Sequence, residues 1–288
     1  MNIDLHIHSN FSDGAYTPSE LVLMARQLGV KVIAIADHDS VSGVPDALSC
    51  GQMSGIEVIP AVELSVQFES FRDVHLLGYG IDCSDEAFLG RIIEFRNRRE
   101  QRNHEIVELV NVQLLSEGRN VITIDEVLAF ARDAIGRPHI ARVLLERNYV
   151  SNFEDAFQRY LVPCNIPKSY WEMDCAIDEV HRIGGVAVLA HPTSICKDLQ
   201  ELRRVISALK DMGLDGIEVF NNMGWPQEIE FLRRLAAELD LLVTAGSDFH
   251  GIEDVVEIGK GREGICFDSS LLAPLNTRIQ EQRSRTNQ

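Results

Sequence analysis

Short apolar runs alternate along most of the chain with stretches whose apolar residues recur at helical spacing. The first run, Asp4-Leu5-His6-Ile7-His8, has the period of two of a strand, so His6 and His8 share a face. Thr17-Pro18-Ser19-Glu20 then combines an N-cap, a proline at the first helical position and an early acid, and predicts a helix through Leu28 to a stop at Gly29. Lys31 to Ala36 reads as a strand of a buried parallel sheet and ends in Asp37-His38-Asp39. A short helix at Val44 to Met53 leads to a third run, Ile56 to Val62, ending in Glu63. A fourth, Val74 to Tyr79, carries His75 near its start.

From Asp82 to about Tyr170 the rhythm changes. Phe88 to Leu115 is a long helical pattern, Thr123-Ile124-Asp125-Glu126 is a capping box, and further helices are predicted at Pro138 to Arg147 and Phe153 to Leu161. The only strand expected there is Asn120 to Thr123. Alternation resumes with a helix at Cys175 to Ile183, a run Val186 to Ala190 ending in His191-Pro192, a helix at Leu199 to Met212 and the strand Gly216 to Phe220. A helix at Pro226 to Glu238 and the run Leu241 to Ala245 follow, the latter ending in Gly246-Ser247-Asp248-Phe249-His250.

About seven strands alternating with helices predict an α/β fold, a closed or nearly closed parallel barrel, with a doubly wound open sheet as the alternative. The expected organisation is a barrel from residues 1–81 and 171–277, an inserted helical cap at 82–170, and a frayed polar tail at 278–288.

Composition narrows the class. With 45% hydrophobic and 25% charged residues the chain reads as soluble and globular. No apolar run approaches the ~20 residues that cross a bilayer, and Met1 leads directly into a strand, so a cytoplasmic location is expected. The six cysteines are scattered without a C-x-x-C pair and read as reduced packing residues. A net charge of -17 opposes any stable nucleic-acid complex, so an anionic substrate must be attracted locally.

In either α/β architecture ligands collect at the carboxyl ends of strands, and that rule sorts the histidines. His38, Glu63, His191, Asp248 and His250 stand where apolar runs stop, and join His6, His8 and Asp13 of the first strand and its loop. His75 enters from the other end of its strand. Any one of them alone is more often structural, and His-x-His alone is an even choice between a ligand pair and a surface strand. Converging imidazoles and carboxylates are instead hard to satisfy without cations. The donors are nitrogen and oxygen only, which suits Mn, Fe or Zn. Nine ligands exceed one ion's needs, so two to three divalent ions are expected, with Glu63 as a natural bridge. Clustered ions of that kind serve phosphate-ester hydrolysis best. The catalytic assignments are Glu63, Asp13 and His191, acting through a metal-activated hydroxide.

DLHIHSNFSDG at Asp4 to Gly14, ADHD at Ala36 to Asp39, Glu63, His75, AHP at Ala190 to Pro192 and GSDFH at Gly246 to His250 together resemble the PHP (polymerase and histidinol phosphatase) superfamily of metal-dependent phosphoesterases. The resemblance implies a distorted (βα)7, TIM-like barrel with a trinuclear site. It divides the ligands into His6, His8, Glu63 and Asp248 for one ion, Asp13, His38 and His250 for a second, and Glu63, His75 and His191 for a third.

In the insert, Gly136-Arg137-Pro138-His139-Ile140-Ala141-Arg142 and Phe157-Gln158-Arg159-Tyr160-Leu161 resemble the bacterial 3',5'-nucleoside bisphosphate phosphatase group, also described as 5'-to-3' exoribonucleases. That resemblance implies phosphate binding by Arg137 and Arg159, and hydrolysis of nucleoside 3',5'-bisphosphates or short 5'-phosphorylated oligonucleotides. Relatives have a Gly-Lys-Pro step after the Tyr-Leu, whereas this chain reads Val162-Pro163-Cys164-Asn165-Ile166-Pro167-Lys168, so the substrate lysine, assigned to Lys168, is displaced. The alternatives are a histidinol-phosphate-type or other small-molecule phosphatase, and, in another class, a non-catalytic metal-binding module. His139 is assigned a local structural role, His104 and His181 the surface, and Trp171 and Trp225 core or rim packing ahead of base stacking.

Overall fold

The computed structural model describes residues 2–130, 136–252 and 255–286. The elements run β1 (Asn2–Ile7), α1 (Pro18–Gln27), β2 (Val30–Ile35), α2 (Val44–Ser54), β3 (Glu57–Val58), β4 (Ala61–Phe68), β5 (Phe71–Tyr79), α3 (Glu86–Ser116), α4 (Ile124–Leu128), α5 (Arg137–Glu146) and α6 (Phe153–Ala156). After one π-helical turn at Phe157–Leu161 come β6 (Trp171–Glu172), α7 (Met173–Arg182), β7 (Val186–Leu189), α8 (Leu199–Asp211), β8 (Gly216–Phe220), α9 (Pro226–Glu238), β9 (Leu242–Ala245) and α10 (Leu272–Thr286). Two compact units result, one from 1–89 with 170–288 and one from 90–169.

The first unit is mixed α/β. Its strands form a parallel sheet β1-β2-β3 and a sheet of order β6-β4-β5-β7-β8-β9. The sheets form no continuous closed barrel among the described residues, and the expectation of a parallel arrangement needs correction: β5 runs antiparallel to both β4 and β7. The cause is the two-residue link Glu69-Ser70, too short for the crossover that parallel neighbours need. The run expected at Ile56 to Val62 is two strands separated at Pro60, and Glu63 lies inside β4 rather than at a strand end. His75, likewise, is the fifth residue of the longer β5. Isolated parallel bridges Ile7 to Phe249 and His38 to Glu63 connect the two sheets.

The continuous apolar runs are buried on both faces. Val32, Ala34 and Ala36 pack with Ile3, Leu5, Ala61, Leu77, Val188 and Ala245, whereas Ile33 and Ile35 pack with Leu21, Val22 and Ala25 of α1 and Ala47 of α2. Thr17 caps α1 with the reciprocal Glu20 bond of a capping box.

The tail assigned to 278–288 is ordered through Thr286. Leu275 and Ile279 of α10, four residues apart on one face, are buried in the same core, and Gln282, a turn further on, is buried on that face as well. Arg278 of α10 also bonds Asp215 at 2.8 Å.

The helical unit has its own core of Ile106, Val110 and Leu114 from α3 with Val127, Ile140, Leu144, Tyr160 and Leu161. Asn120 to Thr123 is not a strand: Asn111 holds both the N–H and the carbonyl of Ile122 at 2.8 Å, and Thr123 caps α4. Among the described residues no helix is long and apolar enough to cross a membrane.

Candidate metal centre

β1 delivers His6, and His8 follows directly after the strand, with their Nε2 atoms 3.1 Å apart and both side chains fully buried. The chain then turns through Ser9 to Gly14, held by Asp37, whose carboxylate accepts from the Ser9 N–H (2.7 Å) and the Ser9 and Ser12 hydroxyls (2.6 Å each). Gly14 is required there, because a Cβ would lie 2.2 Å from the His8 carbonyl oxygen. The turn places Asp13 against His8, His38 and His250 at 3.6, 3.6 and 3.3 Å.

Glu63 is the centre of the cluster. Its Oε2 faces His38 Nδ1 at 2.9 Å, His8 Nε2 at 3.2 Å and His6 Nε2 at 3.3 Å, and its Oε1 faces His75 Nδ1 and His191 Nε2 at 3.1 Å each. Asp248 Oδ1 lies 3.0 Å from His8 Nε2 and 3.5 Å from His6 Nε2. All nine residues singled out from the barrel sequence therefore meet in one place. Among the described residues three groupings could each hold an ion: His8, Asp13, His38 and His250; His6, His8 and Asp248; and His38, Glu63 and His75.

The donor set fits cations. His38 Nδ1 and Glu63 Oε2 are buried without a hydrogen-bond partner although they face each other. His75 Nδ1 and His191 Nε2 also meet at 3.2 Å. Lone pairs aimed at common points, rather than at donors, are what a metal site requires. Two of these residues, His191 (φ 25°) and Asp248 (φ 54°), hold left-handed backbone conformations that non-glycine residues rarely adopt.

Electrostatics within the cluster pull in opposite directions. Burial lowers the His8 pKa, but the Asp248 and Glu63 carboxylates outweigh it and raise it to about 10. For His75 burial prevails over Glu63, with His38 and His191 adding to it, and the pKa falls to about 4. Burial raises Asp13 and Asp248, yet the surrounding imidazoles bring both well below the usual carboxylate range.

Several supporting residues are absent from the sequence-derived set. Glu218, fully buried in β8, accepts from His6 Nδ1 and from the His191 N–H, both at 2.9 Å. Ser194 Oγ is 2.9 Å from His191 Nδ1. Asp4 accepts the N–H groups of His6, Ser247 and Gly259, and burial raises its pKa to about 6. A sequence signal for Glu218 exists: it is the one charged residue inside the apolar run Gly216 to Phe220. Burying a lone carboxylate there is costly unless it has partners.

Arg137, Arg159 and Lys168 lie in the helical unit. Arg137 Nη1 donates to Asn165 Oδ1 at 3.0 Å, and its guanidinium sits over Phe157. Arg159 is held by the Tyr149 carbonyl (3.2 Å), the Tyr160 hydroxyl (3.2 Å) and Glu117 (3.3 Å). Lys168 is half-buried. His139 Nδ1 accepts the Gly136 N–H at 3.0 Å, a helix-capping role. His181 is not a bare surface residue: its Nε2 is 2.7 Å from the buried Asp215 carboxylate.

A cluster of this composition on an α/β scaffold defines a metal-dependent phosphoesterase, a hydrolase. The PHP domain family model matches residues 4–173, and the chain belongs to that family. It is 34% identical over 89% of its length to a 5'-3' exoribonuclease of Haemophilus influenzae, covering 93% of that protein. It is 28% identical over 86% of its length to a 3',5'-nucleoside bisphosphate phosphatase of Chromobacterium violaceum, covering 87% of it. A solved structure from Bifidobacterium adolescentis, described as a metal-dependent phosphoesterase, superimposes with a TM-score of 0.78 at 33% identity over 96% of both chains.

Proposed function

We propose that this phosphoesterase removes a phosphate from nucleoside 3',5'-bisphosphates and cleaves short 5'-phosphorylated oligonucleotides from the 5' end. The observation that carries the chemistry is Glu63, which presents one oxygen to His6, His8 and His38 and the other to His75 and His191. Two or three divalent ions, Mn in preference to Fe or Zn, would be held by the nine residues, with Glu63 shared between positions. Bound ions of this kind supply an activated water near neutral pH and neutralise phosphoryl oxygens. Glu218 and Ser194 hold His6 and His191 so that their Nε2 atoms point inward. Asp13 and Asp248 stay ionised and keep the cluster acidic enough for cations.

The nucleotide preference is supported by the two curated relatives, one named an exoribonuclease and the other a bisphosphate phosphatase. Arg137, with Arg159 and Lys168, is the proposed contact for a second substrate phosphate. The strands read best as a distorted (βα)7 ring of β1, β2, β4, β5, β7, β8 and β9, a reading supported by the bridges Ile7 to Phe249 and His38 to Glu63. A cytoplasmic location is part of the proposal, and so is the lack of a stable nucleic-acid complex, which the net charge of -17 supports.

Mn-loaded protein should turn over adenosine 3',5'-bisphosphate and a 5'-phosphorylated oligoribonucleotide faster than histidinol phosphate, and Arg137→Ala should raise KM for the bisphosphate. Preference for histidinol phosphate, with Arg137→Ala silent, would instead favour a small-molecule phosphatase. Full metal loading without hydrolysis of any ester would favour a non-catalytic module.

A further inference from the structure

Trp225, in the connection between β8 and α9, is 52% exposed, whereas Trp171 is 3% exposed. An indole left open to solvent to that extent is uncommon, because tryptophan carries a large apolar surface. Its placement is nevertheless constrained. The Arg262 guanidinium carbon lies 4.1 Å from the ring centroid, within cation–π range. Arg262 Nε donates to the Asn222 carbonyl at 2.9 Å, and the backbone N–H of Trp225 donates to Glu228 Oε2 at 2.8 Å. No described residue accepts a hydrogen bond from the terminal amino groups of Arg262. The pair is also tied to the metal centre: Asn222 Nδ2 donates to the Ser247 carbonyl at 2.6 Å, and the next residue is Asp248, 3.0 Å from His8.

We propose that Trp225, braced by Arg262, is a nucleobase shelf at the rim of the metal centre. The substrate class is then phosphate esters that carry a base, in preference to base-free sugar phosphates. The base stacks on the indole face that Arg262 leaves open, and the terminal amino groups of Arg262 donate to ribose or phosphate oxygens. Every base has a π-face, so the shelf tolerates any base. In a chain of net charge -17, a cation held at this rim also favours an anionic ligand. The inference rests on the nucleotide reading above and adds the residues that recognise the base.

The test compares KM for adenosine 3',5'-bisphosphate with KM for the corresponding base-free ribose bisphosphate, using Mn-loaded wild type, Trp225→Ala, Trp225→Phe and Arg262→Ala. Wild type should prefer the nucleotide by about tenfold, the size expected of one stacked base. Trp225→Ala should close that gap, Trp225→Phe should restore most of it, and Arg262→Ala should narrow it. An unchanged gap in Trp225→Ala overturns the shelf. Separately, adenosine monophosphate should quench tryptophan fluorescence of the wild type but not of Trp225→Phe, and absence of quenching overturns the shelf as well. If quenching occurs and no nucleotide is hydrolysed while another phosphate ester is, the nucleotide-hydrolysis reading fails and the base-binding shelf stands.

Discussion

Glu218 Oε1 lies 2.9 Å from His6 Nδ1, across 212 residues of sequence, and fixes which nitrogen of His6 faces the metal centre. Its second oxygen accepts the His191 N–H, so one carboxylate orients site residues delivered by β1 and by the end of β7. Replacing it by glutamine keeps the volume but sets an amide N–H₂ against one of these two donors. Glu218→Gln is expected to weaken divalent-metal affinity by about 10- to 100-fold. Calorimetric titration of Mn into metal-stripped protein measures this, and an unchanged affinity would remove Glu218 from the site's support.

Gly246 faces His6 so closely that a Cβ would lie 2.1 Å from the His6 Cβ and 2.9 Å from Glu218 Oε1. Backbone at His6 cannot yield without disturbing β1. Gly246→Ala should therefore cost about 3 kcal/mol of stability, at the upper end of overpacking effects. Denaturant unfolding of the metal-stripped protein checks it, and a loss within experimental error would mean that the site tolerates the methyl group.

Glu63 faces five imidazoles, His6, His8 and His38 with Oε2 and His75 and His191 with Oε1. Glu63→Gln removes a charge that five imidazoles face, and metal content per chain should drop with a loss of turnover greater than about 100-fold. Elemental analysis alongside phosphate release separates the two effects. Wild-type activity in this variant would reject the bridging role.

Asp215, at the opposite end of β8 from the metal centre, gives an acid-stability signature. Burial raises its pKa, but His181 at 2.7 Å, the Ala187 N–H at 2.9 Å and Arg278 at 2.8 Å outweigh it and hold the carboxyl below its ordinary value. A depressed folded-state pKa contributes stability that is present above the unfolded pKa and lost as pH falls through the folded one. Asp215→Asn should lose roughly 3 kcal/mol at neutral pH and show a flatter decline below about pH 4. Melting temperatures over pH 2 to 7 test both, and parallel acid limbs in the two proteins would discount Asp215.

Much of the centre is legible in the residues themselves. His38, His191, Asp248 and His250 stand where apolar runs stop, and His6 and His8 share a face of the first strand; both are local properties of the chain. Glu63 and His75 are legible as residues but not as geometry. Leu64 to Phe68 and Phe71 to Asp73 extend both strands, and the Glu69-Ser70 hairpin turns β5 against its neighbours. The buried half of α10 was likewise masked by its arginines and glutamines, since two apolar residues per two turns suffice to dock a helix edge.

By itself the sequence determined the alternation of strands and helices, the helical insert, and a nitrogen and oxygen donor set, because periodicity, capping and residue chemistry act over a few neighbouring positions. Tertiary structure alone decided which oxygen of Glu63 meets which imidazole, that Glu218 orients His6, that β5 runs antiparallel, and that Trp225 stands open beside Arg262. Those depend on contacts between residues far apart in the chain, whose distances are set by packing rather than by spacing.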